Sequence, residues 1–341
     1  MKYSRIILPI SILCLIFIID YYNKYYSPNT SFEAESIFLY VIKDDSIAFK
    51  DSISKYIKSE KTFYKVAKKL EYLENKKTGR FKIVKDIGNN DIVNALRFNN
   101  TPVNVTFNNQ ERLEDLAGRV SNQIYEDSIS LLRAFTDNDL NDQNVLSIFI
   151  PNSYNIYWDT SSEDFRDRML TEYNKFWNKE RSKKAEELGL TKLEVISLAS
   201  IVQLESRKVD ERPRVAGLYV NRLRDNMRLQ ADPTVIYTIK EYYNNFDTII
   251  RRVLYRDLKL DSKYNTYKIR GLPPGPITMP DISAIDAVLN YERHKYLFMV
   301  ANPSNRGYHL FASDLAGHNR NKKAYIRWIN SRGIYRWKLV R

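Results

Sequence analysis

Cysteine is nearly absent from this chain. The one thiol, Cys14, lies inside an N-terminal apolar run, which excludes an intrachain disulfide and a thiolate metal site. Histidine is almost as scarce: His294, His309 and His318 are the only three, too few to favour a histidine-based metal centre. His309 and His318 therefore read as structural or hydrogen-bonding residues. Acidic residues are outnumbered, 41 against 54 Lys and Arg, and the formal charge of +13 favours anionic partners such as nucleic acid, phospholipid headgroups or acidic wall polymers. Charge alone does not choose among them. No repeat points to a solenoid, and the 25 tyrosines recur with Asn, Lys and Ile along the whole chain, which reads as composition bias rather than a stacking surface.

What is present is enough apolar sequence, 43% of 341 residues, for a real core and two or three domains. One apolar run is long. Lys2 and Arg5 flank the start of Ile6–Ile19, and Tyr3–Tyr22 has the length of roughly 20 residues that a bilayer needs. The following Asp20–Tyr26 stretch offers no small-x-small cleavage site, and Ser-Ile-Leu before Cys14 lacks the small residue expected ahead of a lipidated cysteine. Residues 1–26 are thus expected to form an uncleaved anchor with its flank. Its N-terminus is expected in the cytoplasm and the body outside.

Residues 27–35 read as a polar linker. Beyond it lies an α+β pattern over 36–123: strands at Ile37–Ile42, Arg80–Val84 and Pro102–Phe107, two helices within Ser46–Leu73, and further helices at Asn90–Phe98 and Asn109–Gln123. This order has a strand-helix-helix-strand core with a possible partial second copy, and no catalytic constellation. A mixed α/β domain is expected over 124–341. It begins with a helix, the aromatic segment Phe149–Trp158 and a long charged helix from Ser162. It ends with strands Tyr296–Ala301 and Tyr308–Ser313 and a basic helix.

The informative region is 191–320. Thr191-Lys-Leu-Glu194 has capping-box spacing. The helix it opens carries an apolar stripe, Val195, Leu198, Ile201 and Val202, which Glu205 extends at i+7, i+4 and i+3 from the last three. A carboxyl on that face loses solvation of its charged form, so its pKa should rise into the range of a general acid. The competing arrangement ends the helix near Ser206 and turns Glu205 out to water, or to Arg207 or Arg212. Spacing leaves both open. Asp232 before Pro233 fits a helix N-cap, with a second carboxylate near Glu205 as its functional rival. The proline-rich Gly271–Pro280 loop is stiff, suited equally to holding a ligand or to rigid connection.

Together these residues resemble a known family. Ala199–Ser206 (ASIVQLES), Glu211–Ala216, Tyr219–Leu223, Met227–Tyr237, Tyr264–Tyr267, Gly271–Ile277 and His318-Asn319 look like the successive blocks of the YceG-like endolytic murein transglycosylases. Residues 36–123 are similar in layout to that family's LysM-like module, and Phe149–Tyr154 resembles the entry to its catalytic domain. The resemblance implies a single-pass protein of the bacterial cytoplasmic membrane, with its catalytic domain outside, that cuts nascent peptidoglycan strands. It implies Glu205 as catalytic acid and base and no metal or cofactor. Gln230, Asn265 and Tyr267 are the candidates for holding the sugars, with Arg222, Asn319, Ser206 and Asp232 beside them. One departure stands out: the family often has a first glutamate where this chain has Gln203. Partners implied are glycan strands, the membrane and, among proteins, peptidoglycan synthases or division proteins. The rival readings are a muramidase-type hydrolase with Asp232 activating water, and a non-catalytic wall-binding or divisome scaffold. Nucleic acid is a poor third, because the anchor places the basic surface outside.

Overall fold

The computed structural model describes residues 4–136 and 145–332, with side chains from Leu8 onward. Lys2, Tyr3, the side chain of Arg5, part of the helical segment expected after Ser128, and the end of the basic tail lie outside the described residues. The fold is mixed α+β, mostly helical, with small two-stranded sheets. The chain divides into two compact units: Met1–Val105 with Ser121–Glu126 and Ser153–Ser161, and Thr106–Val120 with Asp127–Asn152 and Ser162–Arg341.

In the first unit, α1 (Ser4–Tyr25) contains Leu8–Tyr25, long and apolar enough to cross a membrane by length and composition, as a signal sequence near an N-terminus also is. Strands β1 (Ser36–Val41) and β2 (Gly79–Val84) pair antiparallel, Ser36 opposite Val84 and Val41 opposite Gly79. Helices α2 (Ser46–Ile53) and α3 (Glu60–Lys69) lie between them in sequence, and α4 (Asn89–Phe98) follows. The period-two pattern turns Leu39, Val41, Phe81 and Ile83 inward onto Phe49, Ile53, Phe63, Val66, Ile92 and Leu96. Asp45 and Ser59 start the two helices by accepting from the amides of Ala48 and Thr62. The segment read as a linker is stitched into this unit. Pro28 bridges Gly88, Thr30 bridges Ile57, and the buried Asn29 amide donates to Asn89 Oδ1 at 2.6 Å. β3 (Val103–Phe107) and β4 (Asn152–Ile156) form another two-stranded sheet.

The second unit is dominated by helices: α5 (Leu113–Ser121), α6 (Ser128–Thr136), α7 (Ser162–Phe176), α8 (Lys179–Leu188), α9 (Lys192–Glu205), α10 (Arg212–Arg224), α11 (Asp232–Tyr242), α12 (Ile282–Leu289) and α13 (Leu315–Ser331). Its β5 (Phe298–Ala301) and β6 (His309–Ala312) make an antiparallel hairpin, each strand shorter than expected. The expected long charged helix breaks in two. Buried Trp177 ends its first half, and Asn178 caps the second by accepting from Arg181 N at 2.9 Å. Helix α9 runs through the core, with Val195 to Val202 all buried against α8, α10, α11 and α12.

Candidate active site

The site begins where α9 stops. At its start, Thr191 and Glu194 form the capping box, Thr191 Oγ1 accepting from Glu194 N at 3.2 Å and Thr191 N donating to Glu194 Oε2 at 2.8 Å. At its end Ser206 is extended, with φ −126° and ψ 120°, so the chain turns off directly after Glu205. Ser206 is itself buried, its hydroxyl donating to Glu211 Oε2 at 2.8 Å and accepting from Lys208 N at 3.2 Å. Arg212 then reaches back to Ser206 O at 3.1 Å and across to Asp281 Oδ1 at 2.7 Å. Gln203 Oε1 accepts from Asp281 N at 2.6 Å. The position where the family often has a glutamate therefore pins the N-cap of α12.

Glu205 itself is half-buried and makes no pair with Arg207 or Arg212. It faces a cleft of about 230 Å³ lined by Tyr219, Arg222, Gln230, Asp232, Tyr267 and His309, with Leu218 and Met299–Ala301 forming its apolar wall. Tyr219 donates its phenolic proton to Glu205 Oε1 at 2.9 Å. Burial pushes the Glu205 pKa up to about 7. The Tyr219 hydrogen bond works against this, the Asp232 charge adds to it, and His309 and Arg222 pull the other way. Desolvation wins, so near neutral pH the carboxyl holds a proton that it can give away.

Each neighbour is placed by its own local structure. Helix α10 carries Tyr219 and Arg222 and comes very close to the strand-entry segment at Gly217, where a Cβ would stand 2.2 Å from Glu292 O. Asn221 donates to His294 O and Tyr296 O, and Arg222 donates to Leu297 O at 2.7 Å and Leu229 O at 2.5 Å. These bonds hold the β5–β6 hairpin over the cleft and bring His309 into its lining. Gln230 sits at φ 48°, a left-handed conformation unusual for a side chain of its size, and is exposed at the cleft edge.

Asp232 is not an N-cap. It is the first residue of α11, Ala231 takes the cap position without a side-chain bond, and Asp232 Oδ1 instead accepts the Tyr267 hydroxyl at 2.6 Å. Burial, and then that hydrogen bond, raise the Tyr267 pKa above the usual phenol range. Of the sugar-binding candidates, Gln230, Tyr267, Arg222 and Asp232 come together in the cleft lining and Asn265, Asn319 and Ser206 do not. Asn265 is fully buried, donating to Leu258 O and Leu260 O and accepting from Tyr267 N at 3.0 Å, so it shapes the loop that carries Tyr267. Asn319 is exposed on α13. The proline-rich loop also lies outside the cleft lining: Ile277, Thr278 and Met279 are buried, and Ile277 N donates to Ser200 Oγ at 3.1 Å.

Two cleft residues escape sequence reasoning. Tyr219 reads as one more apolar position on α10, and His309 reads as a structural histidine. The available signal for His309 was its place at the start of a strand directly after a turn, where side chains face whatever the hairpin covers. Among the described residues no three His, Cys, Asp or Glu gather to hold a metal ion.

Comparisons with known proteins bear on the same region. A model of the YceG-like family matches residues 45–324. The endolytic murein transglycosylase of Bacillus subtilis (strain 168) is 36% identical over 169 residues, 49% of this chain and 44% of that one. Its counterpart in Streptococcus pneumoniae serotype 2 (strain D39) is 30% identical over 180 residues, 52% of this chain and 31% of that one. The match thus spans less than half the length of these curated relatives. A crystal structure of a yceG-like protein from Listeria monocytogenes superposes with a TM-score of 0.56 at 25% identity, covering 84% of this chain and 98% of that one.

Proposed function

The chain belongs to the YceG-like family, and from that premise we propose that it is an endolytic peptidoglycan lytic transglycosylase held to the outer face of the bacterial cytoplasmic membrane by α1. The observation that carries the reading is a carboxyl whose pKa burial lifts to about 7, aimed into a cleft beside polar side chains suited to sugars. Glu205 protonates the oxygen between N-acetylmuramic acid and N-acetylglucosamine while the C1–O bond breaks with oxocarbenium character. The carboxylate left behind then takes the proton of the muramic C6 hydroxyl as that oxygen closes on C1. The nucleophile already belongs to the sugar, so the product is a 1,6-anhydro end and no water is consumed. Gln230, Tyr267, Arg222 and Asp232 hold the glycan around the scissile bond. The module over 36–123 is LysM-like and contacts the strands, and the uncleaved α1 keeps the enzyme near nascent glycan and its synthases.

A second carboxylate in the same cleft, Asp232, supports one other reading, in which it activates water and the enzyme is a muramidase. The test is digestion of purified peptidoglycan with the detergent-solubilised full chain, followed by mass spectrometry of the new ends. Anhydro-muramic ends are expected. Reducing muramic ends would replace the transglycosylase by the hydrolase, and intact glycan would leave a binding protein.

A further inference from the structure

Single-carboxyl chemistry leaves a second ionisable pair in the cleft without a task. Glu211, at the N-terminus of α10, is 4% exposed. Its oxygens accept from His309 N at 2.6 Å, His309 Nδ1 at 2.9 Å and Ser206 Oγ at 2.8 Å. Burial works to raise the Glu211 pKa, but these hydrogen bonds outweigh it and hold the carboxyl below its usual range. With Nδ1 committed to Glu211, Nε2 is the ring nitrogen left for the cleft that His309 lines. Burial works to lower the His309 pKa, but the hydrogen bond to Glu211, the Glu211 charge and the Glu205 charge together raise it.

Around Glu205 stand Tyr219 and Arg222 from α10, Asp232 from α11, Tyr267 from the loop before the proline-rich segment, and His309 from β6. Asp232 opposes a second negative charge there. Arg222 spends two of its donors on the backbone at Leu297 and Leu229. His309, faced by Glu211 and Glu205, is the cation whose free donor remains in the cleft.

We propose that Glu211 keeps His309 charged in the cleft so that the imidazolium stabilises the carboxylate that Glu205 becomes on giving up its proton. The idea rests on the assignment of Glu205 as the acid. His309 is then a positioning residue that acts through Glu205, and no proton moves to or from its ring during turnover. Stabilising charge that exists only after proton transfer lowers the barrier without tightening ground-state binding, so the effect falls on kcat rather than KM.

The experiment titrates the Glu205 carboxyl by carbon-13 NMR in the full chain in detergent micelles, wild type against His309→Gln and His309→Lys. Cleavage pH profiles of the same proteins accompany it. Gln keeps the backbone donor to Glu211, so the hairpin anchor survives. An opposite charge within a few ångströms moves a carboxyl by about 1 unit or more. The Glu205 pKa and the basic limb of activity should therefore both rise by about 1 unit in His309→Gln, with kcat down about tenfold and KM little changed. His309→Lys, which restores charge without the ring, should return both toward wild type. An unchanged Glu205 titration in His309→Gln would overturn the proposal, as would an acidic limb in wild-type activity that the same variant abolishes, since the ring would then be acting as a base. A wild-type chain that never cuts glycan would remove the enzymatic assignment, while the Glu205 titration would still report the His309 interaction by itself.

Discussion

Buried polar groups in the two units are treated in opposite ways. In the first unit Asn29 and Asn89 are fully engaged. Asn29 donates to Ser59 O and Asn89 Oδ1 and accepts from Ser59 N, while the Asn89 amide donates to Lys24 O. Nothing is left over, and the reward is a fixed path from α1 into the β1–β2 layer. In the second unit Glu205 has Tyr219 as its one hydrogen-bond donor among the described residues, and its charged form is left under-solvated. Full satisfaction yields stability, whereas a group held short of it keeps a proton to spend.

Removing the spare proton should break this contrast most severely. Glu205→Gln keeps the shape and loses the titratable group, so glycan cleavage should fall by about 10³-fold or more in an end-group assay, with circular dichroism unchanged. Stability should move in the opposite sense. The folded pKa of about 7 lies above the ordinary 4.5, so the wild type has its full stability below the ordinary value and loses it as pH rises through about 7. The variant escapes that loss. It should gain on the wild type in denaturation between pH 5 and pH 8, by at most about 3 kcal/mol. A variant that unfolds instead would place Glu205 with the structural carboxyls.

The converse change belongs in the first unit. Asn29→Ala leaves Ser59 N and its other buried partners unsatisfied, which should cost about 1–3 kcal/mol in thermal or urea unfolding while kcat on glycan stays at the wild-type value. A matching loss of kcat would mean the two units do not divide stability and chemistry as described.

How far this division was legible beforehand varies with the kind of signal. Period-two and capping patterns placed β1, β2, α2, α3 and the start of α9 to within a few residues, because those signals are local. The stripe on α9 pointed to Glu205, although eight successive residues of that helix are buried, so facing was a weaker guide than where the helix ends. Asp232 misled because Asp-Pro suits a cap, and only the long-range bond from Tyr267 shows otherwise. Asn265 was a sugar-binding candidate by resemblance and is consumed by backbone carbonyls at Leu258 and Leu260. Glu211 and His309 lie 98 positions apart, a separation across which no periodicity carries information.

Tyr219→Phe sharpens the comparison from the cleft side. Losing the phenolic donor destabilises the Glu205 carboxylate, so its pKa should rise and the basic limb of cleavage should move to higher pH by up to about 1 unit. A limb that moved to lower pH would mean that the hydroxyl had been favouring the protonated acid.

The smallest effect is expected at the far end of the same helix. Thr191→Ala removes the capping-box hydroxyl and should cost about 1 kcal/mol of stability. Its informative readout is the pH profile. If the Glu205 proton is governed by what lines the cleft, the basic limb stays where it is even though α9 is weaker. If the limb shifts with the loss of the cap, the carboxyl depends on the rigidity of the whole helix, and the distinction between groups that stabilise and groups that react would no longer hold residue by residue.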